Sequence, residues 1–357
     1  MINFTVGPVQ MGDEIRNIGS EQVPYFRTND FSKLMFENER MFLNLLNGPE
    51  KSRAVFITGS GTASMEASII NVLSKDDKVL VVNGGSFGQR FVDILTIHDI
   101  PFEQIKLPFG KALTSKDLDN FKNKGFTAFV LQGHETSTGV KYNLDIVSEF
   151  CKSEKLLLII DAISMFLADE IDMKQLGADV IITGSQKALA CPPGISLIAL
   201  SDRAVKRIEN NNPHCLYLDL KSALLNGERG QTPFTPAVSI LIQIHKRLEL
   251  ICQNGGAIKE IKRVKELANY FRINLNGLPF EIASESMSNA VTPLKPLTAS
   301  AYDIFTVLKD EYNIWICPSG GELKDTLFRV GHIGCLTKTD YDKLIAAFKD
   351  LQKRKII

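Results

Sequence analysis

The chain has 357 residues, 44% of them hydrophobic, a size that can bury roughly three-quarters of its surface and usually divides into two domains. Lys plus Arg and Asp plus Glu are balanced at 41 each, which argues against a nucleic-acid footprint or an anionic membrane surface and leaves small molecules or a second copy as partners. Six scattered cysteines, Cys151, Cys191, Cys215, Cys252, Cys317 and Cys335, include no C-x-x-C pair, which suits reduced thiols and neither a disulfide framework nor a zinc knuckle.

The opening Met1 to Pro8 has no charged stretch leading into an apolar one, and no apolar run approaches about 18 residues, so a cytoplasmic protein without a membrane span is expected. From about Asp30 to Leu46, Phe31, Leu34, Met35, Phe42 and Leu45 recur near helical spacing. The period then changes. Short apolar runs at Ala54–Ile57, Lys78–Val82, Ala128–Leu131, Leu156–Ile160, Val180–Ile182 and Ile195–Leu200, with helix-length intervals between several of them, predict strands of a mainly parallel sheet covered on both faces.

Helical patterns follow at Ser239–Leu250 and Ala257–Leu275, separated by Gln253-Asn254-Gly255-Gly256, where a domain boundary is expected. Beyond it, short strands at Ile314–Ile316 and Leu327–Val330 alternate with helices at Ala301–Glu311 and Lys338–Lys353, which suits a smaller α+β domain.

Three local features carry chemistry. Ala54 to Ala67 reads as a strand, a small-residue turn Thr58-Gly59-Ser60-Gly61-Thr62 and a helix start, where glycines admit an anion and free N–H groups favour negative charge. Gly59-x-Gly61-x-x-Ser64 also approximates a dinucleotide fingerprint, but the next strand ends at Asn83 with no acid for a ribose. Lys187, in Thr183-Gly184-Ser185-Gln186-Lys187, follows a buried-type strand among small and polar residues; a desolvated lysine loses its proton more easily and attacks aldehydes. Asp161 ends the run Leu156–Ile160, at the strand end where open α/β sheets bind ligands, and a carboxylate there can hold a pyridine nitrogen protonated. Read alone, Lys187 is more commonly a surface lysine, and Asp161 has a helix N-cap as its rival reading.

Together these motifs resemble the class V aminotransferases of fold type I, most closely the alanine- and serine-glyoxylate group, with 2-aminoethylphosphonate-pyruvate transaminase as a near relative. The resemblance runs over nearly the whole chain: Val6-Gly7-Pro8, Gly59 to Thr62, Asn83 to Arg90, Glu135 to Val140, Asp161 to Ser164, Thr183 to Lys187 with Pro192-Pro193-Gly194, and Phe328 to Gly331. It implies an α/β fold: a large domain, residues 16–252, with a mainly parallel seven-stranded sheet between helices, a smaller α+β domain, 253–357, and an N-terminal segment, 1–15, lining the active site.

It also implies pyridoxal 5′-phosphate (PLP) as cofactor, bound to Lys187 as a Schiff base, with Asp161 on the ring nitrogen. Ser60, Gly61, Thr62 and Gln186 would hold the phosphate, and Phe87 and Ile163 would cover the two ring faces. Ser137 would approach the ring oxygen. Thr235, in Gln231-Thr232-Pro233-Phe234-Thr235-Pro236, would reach the phosphate of a partner subunit, making a homodimer with sites at the interface. Gly7 and Arg329 would bind the substrate carboxylate, an arginine fork suiting that group.

Arg27, with Arg90 or His332, is a candidate for a second anionic group, which would suit 2-aminoethylphosphonate as donor and pyruvate as acceptor. The expected reaction moves an amino group from a small donor, of alanine or serine type, to glyoxylate or pyruvate. Gln186 before the lysine and Ser164 after Ile163 argue against a cysteine desulfurase, although Cys191 lies near the lysine; the complete cofactor set argues against a non-catalytic relative.

Overall fold

The computed structural model describes residues 1–357. Its centre is a seven-stranded sheet. In chain order the strands are β1 (Arg53–Thr58), β2 (Val79–Asn83), β3 (Phe102–Lys106), β4 (Ala128–Gln132), β5 (Leu157–Asp161), β6 (Val180–Gly184) and β7 (Ile195–Leu200). Across the sheet they run β1-β7-β6-β5-β4-β2-β3, and only β7 is reversed, antiparallel to both β1 and β6.

Neighbouring residues of one strand belong to different apolar layers, as the two-residue period of a strand dictates. Leu80, Val82, Phe129, Leu131, Leu158 and Ile160 pack into one layer, whereas Val79, Val81, Ala128, Val130, Leu157 and Ile159 pack into the other. A sheet buried on both faces therefore explains the continuous apolar runs. The strand missed in the sequence is β3. Its residues Phe-Glu-Gln-Ile-Lys lie at the sheet edge with only Ile105 buried, so neither an apolar run nor strict alternation marks it.

Helices α1 (Asn29–Leu45), α2 (Gly61–Val72), α3 (Ser86–Ile97), α4 (Leu144–Glu154) and α5 (Val238–Gln253) belong to this part of the chain. Thr28 caps α1, its hydroxyl accepting from the Phe31 N–H at 3.2 Å. A residue with positive φ, Gly255 at +100°, separates α5 from α6 (Gly256–Asn274), where no side chain is favoured. Helix α6 spans two cores: Val264 packs with the sheet layer, and Leu267 and Phe271 pack with the C-terminal elements.

Those elements are the antiparallel strands β8 (Phe280–Ile282), β9 (Val291–Pro296), β10 (Cys317–Pro318) and β11 (Phe328–Gly331), ordered β8-β9-β11-β10, with α7 (Ala301–Tyr312) and α8 (Lys338–Lys353) packed on them. The start of the chain joins them. Ile2–Asn3 pairs in parallel with Ile314–Trp315, and Phe4 is fully buried in the same cluster.

Candidate active site

The C-terminal ends of β1, β2, β4, β5 and β6 open on one edge of the sheet, the place where such folds gather ligand groups. Lys187 stands in the turn after β6. That turn is held by the Ser185 hydroxyl, which donates to the Pro192 carbonyl at 2.6 Å, and by the Cys191 N–H, which donates to the Ser185 carbonyl at 2.9 Å. The Lys187 amine is buried and donates to the Val6 carbonyl at 2.6 Å. Burial pushes it down to about 8, because the ammonium loses hydration that one carbonyl cannot replace.

Asp161 is the last residue of β5, and its Oδ1 accepts the Ile163 N–H at 2.8 Å. Burial pushes its carboxyl up to about 6, with the negative charge of Glu135 adding to the effect. The charges of Asp161, Arg329 and Arg90 all act on the Lys187 amine, so the four groups form one electrostatic cluster. Two residues past Asp161, Ile163 is buried against Gly61, where an added Cβ would collide with Ile163 Cδ1.

Gly61 opens α2, and Ser60 caps that helix without using its side chain as a cap, which leaves the first N–H groups for an anion. Thr62 accepts from the Arg90 guanidinium at 3.0 Å. Gln186 has a buried Oε1 with no partner. Phe87 sits in the first turn of α3 under the Arg90 guanidinium, 4.9 Å from the ring centre. Phe87, Ser137 and Arg329 share the wall of a cavity of about 780 Å³.

Arg329, on β11, donates to the Thr136 carbonyl at 3.0 Å and the Pro318 carbonyl at 3.1 Å, while its buried Nε has no partner. These bonds fix the guanidinium plane, as a two-point carboxylate site requires. Gly7, at φ +134°, is packed on Lys187 itself.

Glu135 is the residue the sequence reading quoted within a motif without giving it a role. Fully buried, its carboxylate accepts the N–H groups of Phe87 (3.2 Å), Gly88 (3.0 Å) and Ser137 (3.2 Å), the Gln132 amide (2.9 Å) and the Ser137 hydroxyl. It caps α3 from outside the helix and locks Phe87 and Ser137 together. On the other side of the same turn, Thr136 and His134 both hydrogen-bond the Ser164 hydroxyl, at 2.6 and 2.9 Å. Burial pushes the His134 imidazole down to about 3, which keeps it neutral.

Two candidates, Arg27 and His332, are not brought to this cluster, and Thr235, expected at the phosphate of a partner subunit, lies apart from it. Arg27 donates to the Thr232 carbonyl at 2.9 Å, the Pro233 carbonyl at 3.3 Å and the Gln231 side chain at 3.3 Å, so its guanidinium braces that segment and is unavailable to a substrate at Lys187 of its own chain. His332 is fully buried among Phe271 and Tyr341 and hydrogen-bonds Thr292 at 2.7 Å and the Tyr341 hydroxyl at 2.9 Å, which makes it a core residue. Thr235 is exposed beside the stacked rings of Tyr217 and Phe234. Arg90 does join the cluster, on the Thr62 side. The Cys191 thiol is pushed up to about 12 by burial, which leaves it unreactive.

The donor set fits pyridoxal phosphate: a buried amine of lowered basicity, a carboxylate with one oxygen uncommitted, an open helix N-terminus and a glycine that lets Ile163 close against that N-terminus. Comparison with known proteins agrees with this. The family model "Aminotransferase class-V" matches residues 20–322. An uncharacterized aminotransferase of Helicobacter pylori is 31% identical over 363 residues, covering 99% of this chain and 96% of the relative. The alanine–glyoxylate aminotransferase of Felis catus is 31% identical over 84% of this chain and 75% of its own length. The solved structure of an aspartate aminotransferase from Thermus thermophilus superposes with a TM-score of 0.92 at 23% identity, each chain covered in full. With that match and this geometry, the chain belongs to the class V aminotransferases, PLP-dependent transaminases of fold type I.

Proposed function

We propose that the protein moves an amino group from a small donor, of alanine or serine type, to a small 2-oxo acid, glyoxylate or pyruvate, in two half-reactions at Lys187. The observation that carries this reading is the placement of the Lys187 amine, lowered to about 8, within the field of Asp161 and of Arg329. When bound, the cofactor supplies an aldehyde for the amine and a ring that withdraws electrons.

The chain's own groups do the rest. With the cofactor bound, Lys187 would hold its aldehyde carbon and would take up or return the proton of the reacting carbon. Asp161 keeps a positive charge on the ring nitrogen. Ser60, Gly61, Thr62 and Gln186 would hold the phosphate, Phe87 and Ile163 would flank the ring, and Ser137 would approach its oxygen. Arg329 takes the substrate carboxylate with Gly7 beside it, which sets the angle of the reacting bond. We also propose the homodimer, with Thr235 contributing to the partner's phosphate site, and the division of the chain into 1–15, 16–252 and 253–357. The alternative donor, 2-aminoethylphosphonate, has less support, since Arg27 and His332 are committed elsewhere.

The test mixes PLP-loaded protein with single donors and follows visible absorbance as the aldehyde form of the cofactor becomes the amine form, with Lys187→Ala as control. Conversion by alanine or serine, absent in the variant, supports the reading. A chromophore that no small donor converts would sink it.

A further inference from the structure

The cavity that exposes Arg329 extends well beyond that residue. Its volume of about 780 Å³ is large beside a three-carbon acid, and its wall continues along the ends of β2 and β3 through Asn83, Ser86, Gln89 and Lys106. Two cations line it, Arg329 and Lys106, and no carboxylate does. Lys106 ends the edge strand β3 and is exposed to the cavity. The acidic side chain on its own strand, Glu103, is taken by Lys78 at 2.8 Å. Glu135 lies behind the wall with its oxygens filled by N–H, amide and hydroxyl donors. The open end of the cavity is therefore electropositive with neutral hydrogen-bonding groups beside it, whereas a small monocarboxylate at Arg329 would leave that charge unanswered.

We propose that Lys106 is a second anion contact of this site, so that beyond the small donors and acceptors the site also takes amino and oxo acids whose side chain carries another carboxylate. The inference deepens the transaminase reading and rests on it. Arg329 holds the carboxylate next to the reacting carbon, and Lys106 holds the distal one. Asn83, the strand neighbour of Lys106 and tied to Gln89 at 2.9 Å and Gln104 at 3.0 Å, fixes the wall beside it.

The experiment compares unreactive probes of similar length on PLP-loaded protein by calorimetry: succinate and glutarate against butyrate, with wild type, Lys106→Met and Lys106→Glu. Half-reactions with L-aspartate, L-glutamate and L-alanine are followed in parallel. Wild type is expected to bind at least one dicarboxylate more tightly than butyrate. Lys106→Met should weaken that dicarboxylate about fivefold and Lys106→Glu about twentyfold, with butyrate and L-alanine moved by less than about twofold. Equal affinity for all three probes in wild type overturns the proposal, as does unchanged dicarboxylate binding, or equal loss of butyrate, in Lys106→Met. If no donor reacts while the dicarboxylate preference depends on Lys106, the transaminase reading fails and the anion contact stands.

Discussion

Gly7 and Lys187 are in direct contact: a Cβ placed on Gly7 would stand 2.8 Å from the lysine Nζ, and the backbone there has φ +134°. Gly7→Ala must therefore shift the lysine or the N-terminal segment. A displacement near 1 Å in a reacting group costs about a hundredfold. We expect a loss of that order in turnover, with slower capture of the cofactor in stopped-flow absorbance and a fold unchanged by circular dichroism.

Cofactor capture should depend on pH through Lys187. Only the neutral amine attacks an aldehyde, and with the amine at about 8 roughly a tenth of it is neutral at pH 7, against well under a thousandth for an ordinary lysine. The capture rate should rise with pH and level off above about 8. A rate still climbing steadily past pH 10 would show an ordinary, hydrated lysine.

Asp161 gives a stability signature of opposite direction from that of a paired carboxylate. Its folded value of about 6 lies above its ordinary value of 3.8, so the folded apoprotein binds the extra proton and this group's contribution to stability falls as pH rises from about 4 to about 6. Asp161→Asn should flatten that part of the apoprotein's stability curve. The same change should lower turnover by roughly two to three orders of magnitude, the usual cost of losing one preorganised charge contact. Denaturant melts at pH 5 and 7, with single-turnover rates, check both.

Removing the charge of Glu135 should loosen the cofactor more than it harms the fold. In Glu135→Gln one oxygen becomes a donor facing N–H groups, at a cost of about 2 kcal/mol in stability. Phe87 and Ser137, released from their common partner, should let PLP go more readily. Equilibrium dialysis would detect this; unchanged cofactor affinity would make Glu135 a purely structural residue.

For Arg329→Lys we expect a loss of about 2–3 kcal/mol in carboxylate recognition, near a hundredfold in kcat/KM, because an ammonium cannot form the planar fork. The unpartnered Nε shows a guanidinium with donor capacity left after Thr136 and Pro318 are served. Attachment of PLP to Lys187 should survive the change, which separates substrate binding from cofactor loading in one absorbance experiment.

Much of this fold could be read from strand-length apolar runs, because β1, β2, β4, β5, β6 and β7 bury both faces and so need apolar residues in succession. β3 escaped because an edge strand has weaker demands. Asp161 and Lys187 were legible since each is a polar group placed directly after such a run. Glu135 was harder: its importance comes from donors in α3, Phe87 and Gly88, that lie 48 and 47 positions away in the chain, and no local pattern marks that pairing. His332, an open candidate for a second anion, goes to the core through parity. On and beyond β11, the even-numbered Phe328 and Val330 point into the core and His332 follows them, whereas Arg329 faces the other way. The bracing of the Gln231–Pro233 segment by Arg27 was not legible, because those partners lie about two hundred positions along the chain.

The first seven residues act as a strap. One end is sewn into the C-terminal sheet through Ile2–Asn3 and Phe4, and the other supplies the carbonyl on which the Lys187 amine rests. A rotation of the C-terminal layer about the main sheet would pull that carbonyl with it. Readiness of the nucleophile and position of the far layer are thus a single mechanical coordinate, linked through backbone with no side chain in between.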